Sequence, residues 1–147
     1  MIKIKEKKLP NLEIILLKHL STSIIFGHSV QFVHWNYTGP DFLSIHEFLG
    51  NVYEKLQKYD DELAERMRSM ELPVDSRISR LITLSDVGDF NTKQKYLPQI
   101  IDGLEVLIRH ANRCIEAAPN DDVLIDHFSD RLNDYTTYLW MLKSQIK

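Results

Sequence analysis

Four side chains have the types and spacing of a metal centre. His34 and His46 flank the segment Trp35-Asn36-Tyr37-Thr38-Gly39-Pro40, and Asp61 and Glu65 follow further along the chain. Two imidazoles and two carboxylates offer the nitrogen and oxygen donors that suit a borderline first-row divalent ion such as iron(II). The i, i+4 spacing of Asp61 and Glu65 puts both carboxylates on one face of a helix. Each residue also has a plain reading. Carboxylates on a polar helix face are ordinarily just solvated. A like-charged i, i+4 pair costs only a few tenths of a kcal/mol, which a bound cation would relieve. His34 alone fits a cation at a helix C-terminus, and His46 alone fits a surface histidine. The set of four, and not any single member, carries the chemistry.

The elements that must position these residues are marked by turn formers. Pro10-Asn11 opens a first segment, which closes at Asn36 to Pro40. A second segment spans 41–70 and stops before Pro73. A short stretch, 75–84, has Asp75 or Ser76 as candidate N-cap. Residues 85–95 are polar and read as a loop. A third helix starts near Pro98, a residue tolerated in a first turn, and runs to Ala118. Pro119-Asn120-Asp121 breaks it, and a fourth helix covers 122–147. Four long helices and one short one predict an all-α four-helix bundle, with residues 1–10 as a lysine-rich tail and 11–147 as one domain.

In the second segment the apolar residues Phe42, Ile45, Leu49, Val52, Leu56, Tyr59, Leu63, Met67 and Met70 recur at steps of three and four, giving one core stripe. At about 100° per residue, His46, Gly50, Asp61 and Glu65 fall in a sector nearly opposite that stripe. In the first segment Ile14, Leu17, Ile24, Ile25 and Phe32 form the expected core stripe, with His34 about 160° from Phe32. His28 falls on the stripe as a core or interface histidine. Leu16, Leu20 and Val33 lie off it, and a helix apolar on several faces is usually covered on several faces, which hints at a subunit interface. His19, His110 and His127 show no usable spacing.

One distance constrains everything else. From His46 to Asp61 is fifteen residues, or about 22 Å along a helix. One ion cannot be shared by both within a chain. A centre built from all four residues must join two antiparallel copies across a two-fold axis, giving two equal sites per dimer.

Composition agrees with such a chain. It has 147 residues, 44% hydrophobic and 27% charged, with only 5 Gly and 5 Pro, which favours helices over sheets. The single cysteine, Cys114, excludes an internal disulfide framework and fits a reducing, cytoplasmic location. There is no run of eighteen apolar residues to span a membrane. The N-terminal MIKIKEKKLP lacks the apolar stretch of a secretory signal.

The motifs resemble those of the Dps family, the miniferritins known as DNA-binding proteins from starved cells. The resemblance rests on His34-Trp35-Asn36, Gly39-Pro40, Phe42, His46, Tyr53, Asp61, Ala64-Glu65-Arg66 and Trp140-Met141-Leu142-Lys143. It covers roughly residues 11–147 and is closest over 34–66. It implies a ferritin-like four-helix bundle with a short extra helix between the second and third long helices. It further implies a hollow shell of twelve subunits, with ferroxidase sites at two-fold interfaces. There iron(II) is oxidised, hydrogen peroxide being the favoured oxidant, and the ferric product is stored as mineral, which limits oxidative damage. His34 and His46 would be ligands from one chain, and Asp61 and Glu65 from its partner, with Trp35 packed nearby.

The sequence departs from the family at one position: Gly50 stands where an Asp is usual. Water, Glu47 or Glu54 would have to fill the missing coordination position. Asp122, Asp126 and Asp130, one helical turn apart, would line pores that draw in cations. Asp121 and Asp122 also complement a helix N-terminus. DNA is the remaining partner that the family implies. Twelve chains of net charge −3 would carry about −36, which opposes phosphate, so binding would depend on the lysine tail and weaken with salt. A non-catalytic cage that binds or shields DNA, crippled in iron chemistry by Gly50, is the alternative. An intrachain di-iron centre is disfavoured, because the chain lacks the Glu-x-x-His motifs it needs.

Overall fold

The computed structural model describes residues 12–147; the lysine-rich tail lies outside the described residues. Five helices follow in order: α1 (Leu12–Asn36), α2 (Phe42–Ser69), α3 (Ile78–Leu84), α4 (Tyr96–Ala117) and α5 (Asp122–Gln145). No strand occurs among the described residues. This is the expected all-α bundle with a short extra helix. No helix among the described residues is long and apolar enough to cross a membrane.

Contacts between helix ends fix the directions. Tyr96, at the start of α4, packs edge-on against Phe32 near the end of α1, and Cys114 near the end of α4 touches Ile15 near the start of α1. The two helices are therefore antiparallel. Arg66, late in α2, pairs with Asp121 at the start of α5, while Asp41 at the head of α2 receives Gln145 from the end of α5. These two are antiparallel as well. Helices α1 and α2 are joined by a tight turn, as are α4 and α5. Helices α2 and α4 consequently run parallel, and residues 70–95, including α3, cross the length of the bundle between them. One long crossover is the ferritin-like connectivity.

In α2 the buried residues are Ile45, Leu49, Val52, Leu56, Tyr59, Leu63 and Met67, the interior of the stripe read from the sequence. In α1 the expected stripe holds at Leu17 alone, which is buried. Ile14 is exposed and Ile24, Ile25 and Phe32 are only half-buried, whereas Leu16, Leu20, Phe26, Val30 and Val33 are the buried residues. The cause is that α1 is apolar nearly all round and buries serine and threonine as well, so its pattern does not single out one face. His28 is exposed within the single chain, not part of its core. Nor do Asp75 or Ser76 cap α3. Arg77 holds that place, and Asp75 instead clamps the Arg77 guanidinium at 2.8 Å.

Helix α2 ends in a Schellman motif. Leu72 N–H donates to Met67 O and Glu71 N–H to Arg68 O, both at 3.0 Å, with Glu71 in the left-handed region at φ 60°. Pro73 follows and prevents continuation.

Candidate metal centre

The histidine pair is built by the turn between α1 and α2. Gly39 adopts φ 142°, a conformation that L-side chains rarely reach, and its carbonyl accepts Phe42 N–H at 3.1 Å. The Tyr37 hydroxyl donates to Asp41 Oδ1 at 2.9 Å, and Gln145 Nε2 donates to Asp41 Oδ2 at 2.8 Å. The turn is thus tied to itself and to α5, and it holds the last turn of α1 beside the first turns of α2.

There the two imidazoles stack, with ring centroids 3.7 Å apart and planes 12° from parallel. His34 Nδ1 lies 2.6 Å from His46 O, and His46 Nδ1 lies 2.7 Å from His34 O. A carbonyl only accepts, so each Nδ1 carries the hydrogen, and in the neutral imidazole each Nε2 keeps its lone pair. A carbonyl on the far nitrogen is the usual arrangement behind a metal-binding histidine, since it fixes the tautomer and raises basicity. Phe42 stacks on His46 at 5.0 Å, and Tyr53 sets an edge against His34 at 5.3 Å. Both rings are half-buried; Trp35 beside them is 60% exposed.

The acids lie elsewhere. Asp61 and Glu65 are exposed on the same continuous helix as His46, about 22 Å along its axis. Among the described residues no group of three or more His, Cys, Asp or Glu side chains is placed to hold a metal. The structure therefore brings His34 and His46 together and keeps them apart from Asp61 and Glu65 within the chain. Neighbouring acids on α2 behave differently. Glu62 is bound to the buried Arg131, and Asp60 turns inward, where burial pushes its carboxyl up to about 8 against the pull of Ser23 and Arg131. Asp61 lines a groove of about 420 Å³ between α1 and α2, together with Ile24, His28, Gln57, Ala64 and Val74.

Gly50 is not a gap. The ring of His34 fills the space beside it, and Glu47 and Glu54, named as substitutes from the sequence, are exposed and outward. On α5, Asp122, Asp126 and Asp130 are all exposed. Asp121 is the N-cap, accepting Leu124 N–H at 3.0 Å. Cys114 is buried, and burial pushes its thiol up to about 12, so it remains a protonated core residue and not a ligand.

Sequence reasoning missed the polar interior. His19 is fully enclosed between His110, Phe128 and Tyr135, and burial brings it down to about 3. His110 reaches Asp86 at 2.7 Å, and Asp86 also pairs with Lys18 at 3.0 Å. Arg131, over the Tyr59 ring, is bound by Glu62. The sequence of residues 85–95 indicates only a polar loop, and nothing in its spacing marks Asp86 as a partner of a core histidine.

The sequence profile of the ferritin-like domain matches residues 15–147. The chain belongs to that family. Within it the chain stands with the Dps proteins, alongside relatives and solved structures that bear that description. The DNA protection during starvation protein of Helicobacter pylori is 26% identical over 139 residues, covering 89% of this chain and 96% of the relative. An uncharacterised low temperature-induced protein of Nostoc is 26% identical over 140 residues, 90% of this chain and 78% of that one. Antigen TpF1 of Treponema pallidum superposes with TM-score 0.90 at 19% identity, covering 97% of this chain and 96% of that one. Dps of Vibrio cholerae, described as a ferritin-like diiron-carboxylate protein, superposes with TM-score 0.87 at 22% identity, covering 95% and 91%. At such identities the superpositions establish the fold.

Proposed function

We propose that this chain is a subunit of an iron-storing cage of twelve copies. It oxidises iron(II) with hydrogen peroxide at sites completed by two chains and retains the ferric mineral inside. The observation that carries this reading is the split donor set. Two imidazoles with bare Nε2 atoms lie in one place, and two exposed carboxylates without partners among the described residues lie about 22 Å away along α2. A second copy running antiparallel brings its acids to these histidines, and the two-fold axis repeats the site. Nearly parallel stacked rings aim their in-plane lone pairs along separate planes, so each imidazole serves its own iron position. The names borne by the relatives support the same reading.

The reaction is a two-electron exchange. Each of two iron(II) ions gives up one electron, and the peroxide O–O bond breaks as it takes both. With two waters the products are two ferric oxyhydroxide units and four protons. The protein's part is to hold two ions together and to keep the peroxide from being reduced by a single iron. Exposed Asp122, Asp126 and Asp130 serve iron uptake by concentrating cations where copies of α5 converge.

Complementation tests the shared site. His46→Ala and Asp61→Ala assemblies are each expected to oxidise iron(II) no faster than buffer after anaerobic loading and peroxide addition. In a mixed dimer one of the two sites retains both donor sets, so random co-assembly returns about a quarter of native activity. Mixed assemblies that stay silent, although each variant assembles, remove the shared-site reading.

A further inference from the structure

We propose that Gly50 is the seat of the His34 imidazole, a positioning residue of the metal centre and not simply a place where a ligand is missing. This rests on the reading of His34 and His46 as ligands and says what holds one of them in place. A Cβ at position 50 would stand 3.1 Å from His34 Cε1, 3.4 Å from Nδ1 and 3.9 Å from Nε2. The ring therefore lies a few tenths of an ångström too close for a side chain at position 50 to be added without a shift. Carbon atoms pack optimally at about 3.5–4.0 Å, so even a methyl group presses on the imidazole.

The ring has little freedom to yield. Its Nδ1 is held 2.6 Å from His46 O, one face is stacked 3.7 Å from the His46 ring, and Tyr53 stands edge-on at 5.3 Å. Gly50 sits well inside α2, where glycine is a poorer helix former than alanine. The helix accepts that penalty where the imidazole needs the space. Aspartate at this position would add a carboxylate beside the pair and at the same time press on the His34 ring, which would have to shift by a few tenths of an ångström within its stack.

Gly50→Ala isolates the effect, because it neither adds nor removes a donor. Co(II), a redox-silent probe, is titrated into assembled native protein, G50A and G50D. G50A, which adds no donor, is expected to bind about tenfold more weakly, the lower end of the range for disturbing a ligand's orienting contacts. G50D, which presses on the ring and adds a donor, is expected to bind no more tightly than the native protein. Metal-free NMR of the His34 Cε1–H should show a ring-current shift in the native chain that diminishes in G50A. Thermal stability closes a double-mutant cycle. In a His34→Ala background G50A should be stabilising, and in the native background it should be less so or destabilising. G50A that keeps both the ring-current shift and native Co(II) affinity overturns the proposal, as does G50D that binds Co(II) more tightly with the stack intact. If native protein binds no Co(II) but the shift and the cycle behave as described, the seat stands and the ferroxidase reading falls.

Discussion

His34 and His46 each donate the Nδ1 hydrogen to the other's backbone carbonyl, at 2.6 and 2.7 Å, so the two candidate ligands are also the lock between α1 and α2. The two bonds are unequal in weight. His34 O lies in the last turn of α1, where carbonyls lack helical partners. His46 O lies inside α2, where a helical partner is available as well. His46→Ala should therefore cost about 1 kcal/mol more stability than His34→Ala, while each weakens one of the two proposed iron positions. Urea midpoints at unchanged slope measure the difference; equal losses would show that the lock does not cap α1.

Asp121 joins α5 to α2 in two ways. It caps α5 through Leu124 N–H at 3.0 Å, and both its oxygens lie 3.1 Å from Arg66 Nη2. Loss of the cap should dominate, because the ion pair is partly exposed. Asp121→Ala is expected to cost about 1–2 kcal/mol and Arg66→Ala about 0–1 kcal/mol. Asp121→Asn keeps the acceptor and should recover most of the loss. An Asn variant as unstable as the Ala variant would assign the effect to charge instead.

What could be read from the sequence follows from where pattern and chemistry are local. The α2 stripe is legible because its apolar residues keep helical steps and its outer face is polar. The distance from His46 to Asp61 follows from helix rise alone, and with it the separation of the histidine pair from the two acids within the chain. Helix α1 is illegible for the opposite reason: its serines, Thr22 and His19 are buried beside leucines, so no polar face contrasts with an apolar one. The stacked geometry of His34 and His46 depends on a turn tied down by Gln145, over a hundred residues away, which spacing cannot reveal. That the His34 ring lies against Gly50 is equally invisible in the spacing.

Glu71 offers a stability gain. It holds the left-handed position of the Schellman motif at φ 60° and is exposed, so its side chain contributes little there. A non-glycine residue pays a steric penalty in that region, partly offset by the greater unfolded-state entropy of glycine. Glu71→Gly is expected to raise the denaturation midpoint by the equivalent of about 0.5–1 kcal/mol. A lower midpoint would mean that the carboxylate has a role the conformation does not show.

Acid should weaken the fold through two histidines, His19 buried and His127 half-buried. Burial lowers His19 from 6.5 to about 3, with the positive neighbourhood of His110, His127 and Arg131 adding to it. Burial and Arg131 lower His127 to about 4 against the pull of Glu62 and Asp130. Both must stay neutral in the folded chain, whereas in the unfolded chain they take up protons near pH 6.5. Their stabilising effect is thus complete above pH 6.5 and is lost as pH falls through the folded values. Between pH 6.5 and about 4 each removes about 1.4 kcal/mol per pH unit; below that His19 continues alone to about pH 3. The raised Asp60 works in the opposite direction, gaining stability as pH falls from about 8, so wild type alone gives only a net slope. The difference between wild type and His19→Gln isolates one imidazole. Chemical denaturation at several pH values should show the two stability curves converging by about 1.4 kcal/mol per unit as pH drops from 6.5 toward 4. Parallel curves over that range would mean that His19 is protonated, or reached by solvent, in the folded protein.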